Sequence, residues 1–333
     1  MLKKIVLTAL AIMTLSAAEV NVYSHRHYPS DAELFKRFTA QSGIKINLIK
    51  ASSDELISRL EKEGKNSPAD VLITVDAARL HIAKEKNLLT PLKSKVLEAN
   101  IPAHLRDKQG YWVALTKRAR VLVYNKETIK PSQLSTYEAL ATPAYKGKVL
   151  VQSSNNTYNQ SLLAGLIVHN GEVKASAWAK GIVANMARKP SGKDVDQIRA
   201  VAAGMGDVAI INTYYLGQLL ASKRPSDQAV GEMVAVYFPN QKTTGTHINV
   251  SGAGITASSK NRVEAQKFIE FLSSPEAQSV FAEVNYEYPV NPKVKPSNLL
   301  ASWGKFKEDN IELYKLGENN AKAVKIFNES GWN

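Results

Sequence analysis

The sequence predicts an α/β protein in which two βα modules flank a central cleft and are joined by crossover strands. Three observations carry that reading. Short alternating strands and capped helices follow one another from Glu19 to Asp76, and a second set with the same rhythm runs from Val149 to Leu220. Two extended segments, Tyr111 to Arg120 and Ile248 to Thr256, stand where strands could cross between the modules. Such βα units place their strands in a mostly parallel sheet, and ligands then sit beyond the carboxyl ends of the strands.

The chain of 333 residues opens Met1-Leu2-Lys3-Lys4, runs through apolar residues from Ile5 to Leu15, and reaches Ser16-Ala17-Ala18. A basic start, a short apolar stretch and small residues make an export signal, residues 1–18, cut after Ala18. That run is too short to cross a bilayer. The chain has no cysteine, which excludes disulfides, thiolate metal sites, a cysteine nucleophile and the lipidated cysteine of a bacterial lipoprotein. A free, monomeric periplasmic protein is expected. Removing Lys3 and Lys4 lowers the formal charge from +13 to +11. The basic residues are scattered without interleaved aromatics, so nucleic acid is not the expected partner.

In order, Glu19 to Tyr23 alternates like a strand and leaves through the loop Ser24-His25-Arg26-His27-Tyr28-Pro29. Ser30 with Glu33 forms a capping box for a helix carrying Leu34, Phe35 and Phe38, closed near Gly43. Ile44, Ile46 and Leu48 give a second strand, Ser52 and Glu55 cap a second helix, and Val71 to Thr74 is a third strand. Beyond the first crossover segment, the strand Val149 to Val151 meets an Asn/Thr break and an apolar helix that opens with Tyr158. Asp194 to Ala203 is a helix stopped at Gly204. It feeds the strand Val208 to Ile211, which breaks at Asn212-Thr213 and restarts as a helix with Tyr214 and Tyr215 in its first turn. Arg262 to Leu272 and Pro275 to Val284 are amphipathic helices, and the last forty residues read as helical.

Tyrosine therefore stands at Tyr28, at Tyr158 and at the pair Tyr214-Tyr215, each at a strand end or helix start, with His27 beside the first. A tyrosine in a first turn serves equally well as core packing, and only the shared setting points to a ligand site. The unpaired amides of a helix start favour negative charge, and a bound cation favours a phenolate far more strongly. Phenolates are hard anionic oxygens that suit a hard, highly charged metal, and a neutral imidazole can join them. Four phenolates around Fe³⁺ would leave a formal charge of about −1, which needs a partner when buried. Arg26, next to His27, and Arg118, in the first crossover segment, are the candidates.

The segments Asn21 to Tyr28, Leu115 to Val121, Asp196 to Gly204 with Gly206 to Tyr215, and Ser274 to Val290 resemble, in this order, the bacterial periplasmic ferric-ion-binding proteins. The resemblance covers essentially the whole chain after the export signal. It implies a class II periplasmic-binding-protein fold, with 19–115 and 245–290 in one lobe and 116–244 and 291–333 in the other. It implies a receptor that closes over one ferric ion or ferric chelate and serves an inner-membrane ABC permease and its ATPase. The expected metal donors are His27, Tyr28, Tyr158, Tyr214 and Tyr215, as in the tyrosine-rich subgroup. Arg26 and Arg118 would sit behind them or hold a synergistic anion such as carbonate. An enzyme is not expected, because no Gly-x-Ser-x-Gly, His-Glu-x-x-His, Walker A or dinucleotide fingerprint occurs. The competing reading is a receptor of the same fold for an oxyanion or another small solute.

Overall fold

The computed structural model describes residues 18–26 and 28–332. Residues 1–17 of the expected export signal, and His27, lie outside them. Among the described residues the strands are β1 (Glu19–Ser24), β2 (Lys45–Lys50), β3 (Val71–Thr74), β4 (Leu89–Thr90), β5 (Val113–Asn125), β6 (Val149–Leu150), β7 (Val208–Asn212), β8 (Val234–Tyr237), β9 (Ile248–Thr256) and β10 (Tyr288–Pro289). They pair in the order β2-β1-β3-β9-β5-β7-β6, with β4 on β9 and both β8 and β10 on β5.

The sheet is mixed, where the sequence predicts a mostly parallel one. β1 runs parallel to β2 and β3, and β6 parallel to β7, as βα units require. β5 and β9 run antiparallel to each other and to the units on either side. β9 is one strand over the whole of the second crossover segment. β5 starts two residues later than the first crossover segment and runs on to Asn125, with the polar run Lys117 to Arg120 within it. Up to Ala119 it pairs with β9, and from Arg120 it pairs with β7. Arg118 and Arg120, two residues apart, therefore point from the same face of the strand that joins the two halves.

Helix starts follow the local chemistry with one correction. The Ser52–Glu55 capping box is present at the helix Ser53–Glu63. The first helix, Pro29–Ser42, does not use Ser30 and Glu33: Tyr28 is its N-cap residue, without a side-chain cap, and Pro29 supplies the first helical φ. That places Tyr28 at the junction of loop and helix. Gly43 ends the helix at φ 71, a left-handed conformation that glycine adopts without a Cβ penalty.

Two apolar clusters form the core. The larger gathers Val22, Leu56, Leu72 and Phe268 beneath β1 and β3 and runs through both halves, where it also takes in Leu162, Trp178 and Ile210. The other packs Val121 and Ile211 against Ile198 and Val201 of the helix Asp194–Ala202 and Leu216 and Leu219 of the helix Thr213–Leu220. β7 is buried along its length, which explains its continuous apolar run. Among the described residues no helix is long and apolar enough to cross a membrane.

Candidate metal centre

Tyr28, Tyr158, Tyr214 and Tyr215 come together from three separate segments. Tyr28 leaves the loop after β1. Tyr158 is the second residue of the helix Thr157–Asn185, whose N-cap Asn156 accepts from the amides of Tyr158 and Asn159 at 3.0 and 3.2 Å. Tyr214 and Tyr215 open the helix after β7, as the sequence places them. The Tyr28 ring meets Tyr214 edge-on with centroids 5.8 Å apart, and the Tyr214 and Tyr215 rings lie 4.2 Å apart. The Tyr214 hydroxyl donates to the Tyr158 hydroxyl at 3.2 Å. Tyr28, Tyr158 and Tyr214 are buried, and Tyr215 is partly exposed. Side chains from both sides of the β5–β9 junction thus touch one another.

Burial, and then the neighbouring phenols, push the hydroxyls of Tyr28, Tyr214 and Tyr215 well above the usual tyrosine value. Without a cation these groups hold their protons at neutral pH. A multivalent cation among them reverses the balance, because each phenolate then gains an opposite charge at contact distance.

The arginines divide by partner. Arg26 is buried and grips Glu287 with two bonds of 3.2 and 2.9 Å. It also pairs with Asp31 at 3.0 Å and donates to the Thr116 hydroxyl at 3.2 Å. Its guanidinium lies over the rings of Tyr28 and Phe281, 4.7 and 4.8 Å from their centroids. Arg118 lies over Tyr158 at 5.2 Å and donates to the Ser251 hydroxyl at 3.3 Å and to the Val75 carbonyl. Among the described residues no carboxylate reaches it within ion-pair distance, and its Nε is buried without a partner. Arg118 is therefore a buried positive charge beside the tyrosines, whereas the charge of Arg26 is already balanced.

Sequence reasoning missed three supports. Arg120 ties the Tyr158 helix to the tyrosine pair: it donates to Asp194 and Asn159 at 2.7 Å each and to Asn212 at 3.4 Å. Asp194 accepts in turn from the Asn212 amide at 2.9 Å, fixing the end of β7. Glu287 is the third, fully buried, and Arg26 and Thr116 hold its carboxyl below the usual range against the opposing effect of burial. The signal for Arg120 is its two-residue spacing from Arg118, and the signal for Glu287 is a lone acid between Tyr286 and Tyr288. Buried His247 lines a narrow void, too small for water, with Arg118, Arg120, Tyr158, Asn212 and Asn249. Among the described residues no group of three or more His, Cys, Asp or Glu could hold a metal ion.

Two βα halves that share two crossing strands, with polar side chains converging where the halves meet, define a two-lobed solute-binding protein. The chain belongs to the family of bacterial extracellular solute-binding proteins, whose pattern matches residues 66–307. It is 53% identical to iron uptake protein A1 of Synechocystis over 94% of this chain and 87% of the relative. Its structure is similar to the ferric binding protein from Campylobacter jejuni, with a TM-score of 0.92, 48% identity, and 94% and 100% of the two chains covered. It is also similar to the Trichodesmium protein IdiA (FutA) in complex with iron and citrate, with a TM-score of 0.90, 48% identity, and 95% and 100% covered. The protein is accordingly a binding protein and not an enzyme.

Proposed function

We propose that the protein is a periplasmic receptor that binds one ferric ion between its lobes and delivers it to an ABC permease and its ATPase for import. The convergence of four phenols from both halves of the molecule carries this reading. The ligands are Tyr28, Tyr158, Tyr214 and Tyr215, joined by His27. The likeness to iron-uptake and ferric-binding proteins over nearly the whole chain supports the choice of metal. Four phenolates and Fe³⁺ sum formally to about −1, and Arg118 supplies the compensating charge. A small synergistic anion such as carbonate would have to take the place of a phenolate at the metal, because the void beside Arg118 is too small for water and its charge is already matched to the four phenolates. The lobes divide as 19–115 with 245–290 and 116–244 with 291–333, hinged along β5 and β9. Residues 1–18 direct export, and the protein acts as a monomer.

The test is metal analysis together with a visible spectrum of protein purified without chelator, followed by titration with ferric citrate. One iron per chain and a red-orange tyrosinate-to-iron absorption band are expected. A colourless protein that takes up no iron would refute the reading and favour the oxyanion alternative.

A further inference from the structure

Tyr158 shares its helical turn with Gln160 and Ser161, and both of these residues bond across the cleft. The Ser161 hydroxyl donates to Asp76 at 2.6 Å. Arg79 donates to the Gln160 side-chain carbonyl at 2.9 Å. Asp76 is the N-cap of the helix Ala77–Glu85, directly after β3, and Arg79 lies in that helix's first turn. The Tyr158 helix follows β6, on the other side of β9 and β5 in the sheet. All four side chains are buried. Asp76 is braced from the crossover by Asn249 at 2.7 Å, and Arg79 by two bonds to Asp54 at 3.1 and 3.2 Å. The acceptor and donor presented to the Tyr158 turn are thus fixed from the opposite lobe.

The seam continues outward. Gly317, in the helix Tyr314–Glu318, approaches His81 of the Ala77–Glu85 helix so closely that a Cβ there would lie 2.6 Å from the imidazole Cδ2 and 2.8 Å from its Cβ. Tyr314 lies 5.9 Å from the same ring, and Lys108 pairs with Glu312 at the rim.

We propose that Asp76 and Arg79 are positioning residues of a latch that closes on the Tyr158 turn and sets the rate at which cargo leaves. The inference rests on the ferric reading above for its cargo and on the hydrogen bonds for its geometry. Hydrogen bonds to charged groups are worth enough that losing two should speed release by roughly 100-fold or more.

The experiment measures iron release to excess chelator by stopped flow from the double variant Ser161→Ala/Gln160→Ala and, separately, from Gly317→Ala. The first removes both acceptor and donor while leaving Asp76 and Arg79 in place. The second puts a methyl group into the seam at a helical position where alanine is otherwise favourable. Both should release iron faster than wild type while the visible band keeps its wavelength, since the phenolates are untouched. Wild-type release from both variants would overturn the latch. A wild type with no visible band would refute the ferric reading alone, and small-angle scattering then reads the latch directly. The double variant should show a larger radius of gyration than wild type, and equal radii would overturn it.

Discussion

At the scale of single residues, Tyr214→Phe and Tyr215→Phe keep the ring contact at 4.2 Å and delete one anionic oxygen each. Each should weaken ferric binding by roughly two orders of magnitude or more and bleach or shift the visible band, with little change in Tm. Full colour and affinity in both variants would remove the central claim. The arginines should separate. Arg118→Met takes away the buried charge that has no carboxylate partner, so it should weaken ferric binding and spare stability. Arg26→Met leaves Glu287 and Asp31 buried against nothing positive and should cost about 3 kcal/mol of stability. Chemical denaturation with an iron titration on each variant separates the two roles. The sequence offers both arginines as charge partners, Arg26 beside His27 and Arg118 in the first crossover segment. What distinguishes them is a carboxylate 261 positions along the chain, a separation at which no local pattern speaks.

At the scale of elements, the strand–break–helix units were legible because their signals are local. Asn156 caps the Tyr158 helix through its side chain, whereas the Tyr214–Tyr215 helix starts after Asn212 at the expected place but without a side-chain cap. Asn156→Ala should cost about 1 kcal/mol and lower ferric affinity together with Tm, because the cap bonds to the amide of Tyr158 itself. Normal affinity with a lowered Tm would show that the turn holds its position without the cap. β5 was less legible. Its segment Lys117-Arg118-Ala119-Arg120 puts three cations into a mostly buried strand, and their polar heads find Glu308, Ser251 and Asp194. A buried polar strand can be recognised only once those partners are placed. The same holds for sheet direction, since the local patterns of β5 and β9 do not say against which strands they run.

At the scale of the whole molecule, a ligand gripped from both lobes should make the protein more compact and raise its Tm, which scattering and calorimetry would detect. Acid should oppose this through two routes with different signatures. The first is stability. Burial, with Arg120 and Arg118, pushes the His247 imidazole down to about 3, so the folded protein keeps it neutral where the unfolded chain takes up a proton. Its contribution is intact above pH ~6.5 and is lost progressively as pH falls toward 3, at roughly 1 kcal/mol per pH unit. His247→Asn should flatten that part of the profile in metal-free protein. The second route is the cargo. Tyr28, Tyr214 and Tyr215 have values well above 10, so at neutral pH each surrenders a proton when iron binds. The logarithm of the affinity should therefore rise with pH at about one unit per phenol, giving a slope near three or four across pH 6 to 8. The slope should survive in His247→Asn, because it comes from the phenols. Reduction to Fe²⁺ removes one positive charge, which Arg118 alone cannot offset, so affinity should fall on adding a reductant and fall further in Arg118→Met. The measurement is iron affinity across a pH series, with proton release followed by a pH indicator. A slope near zero would mean that neutral or carboxylate donors hold the metal, and the tyrosinate site would be wrong.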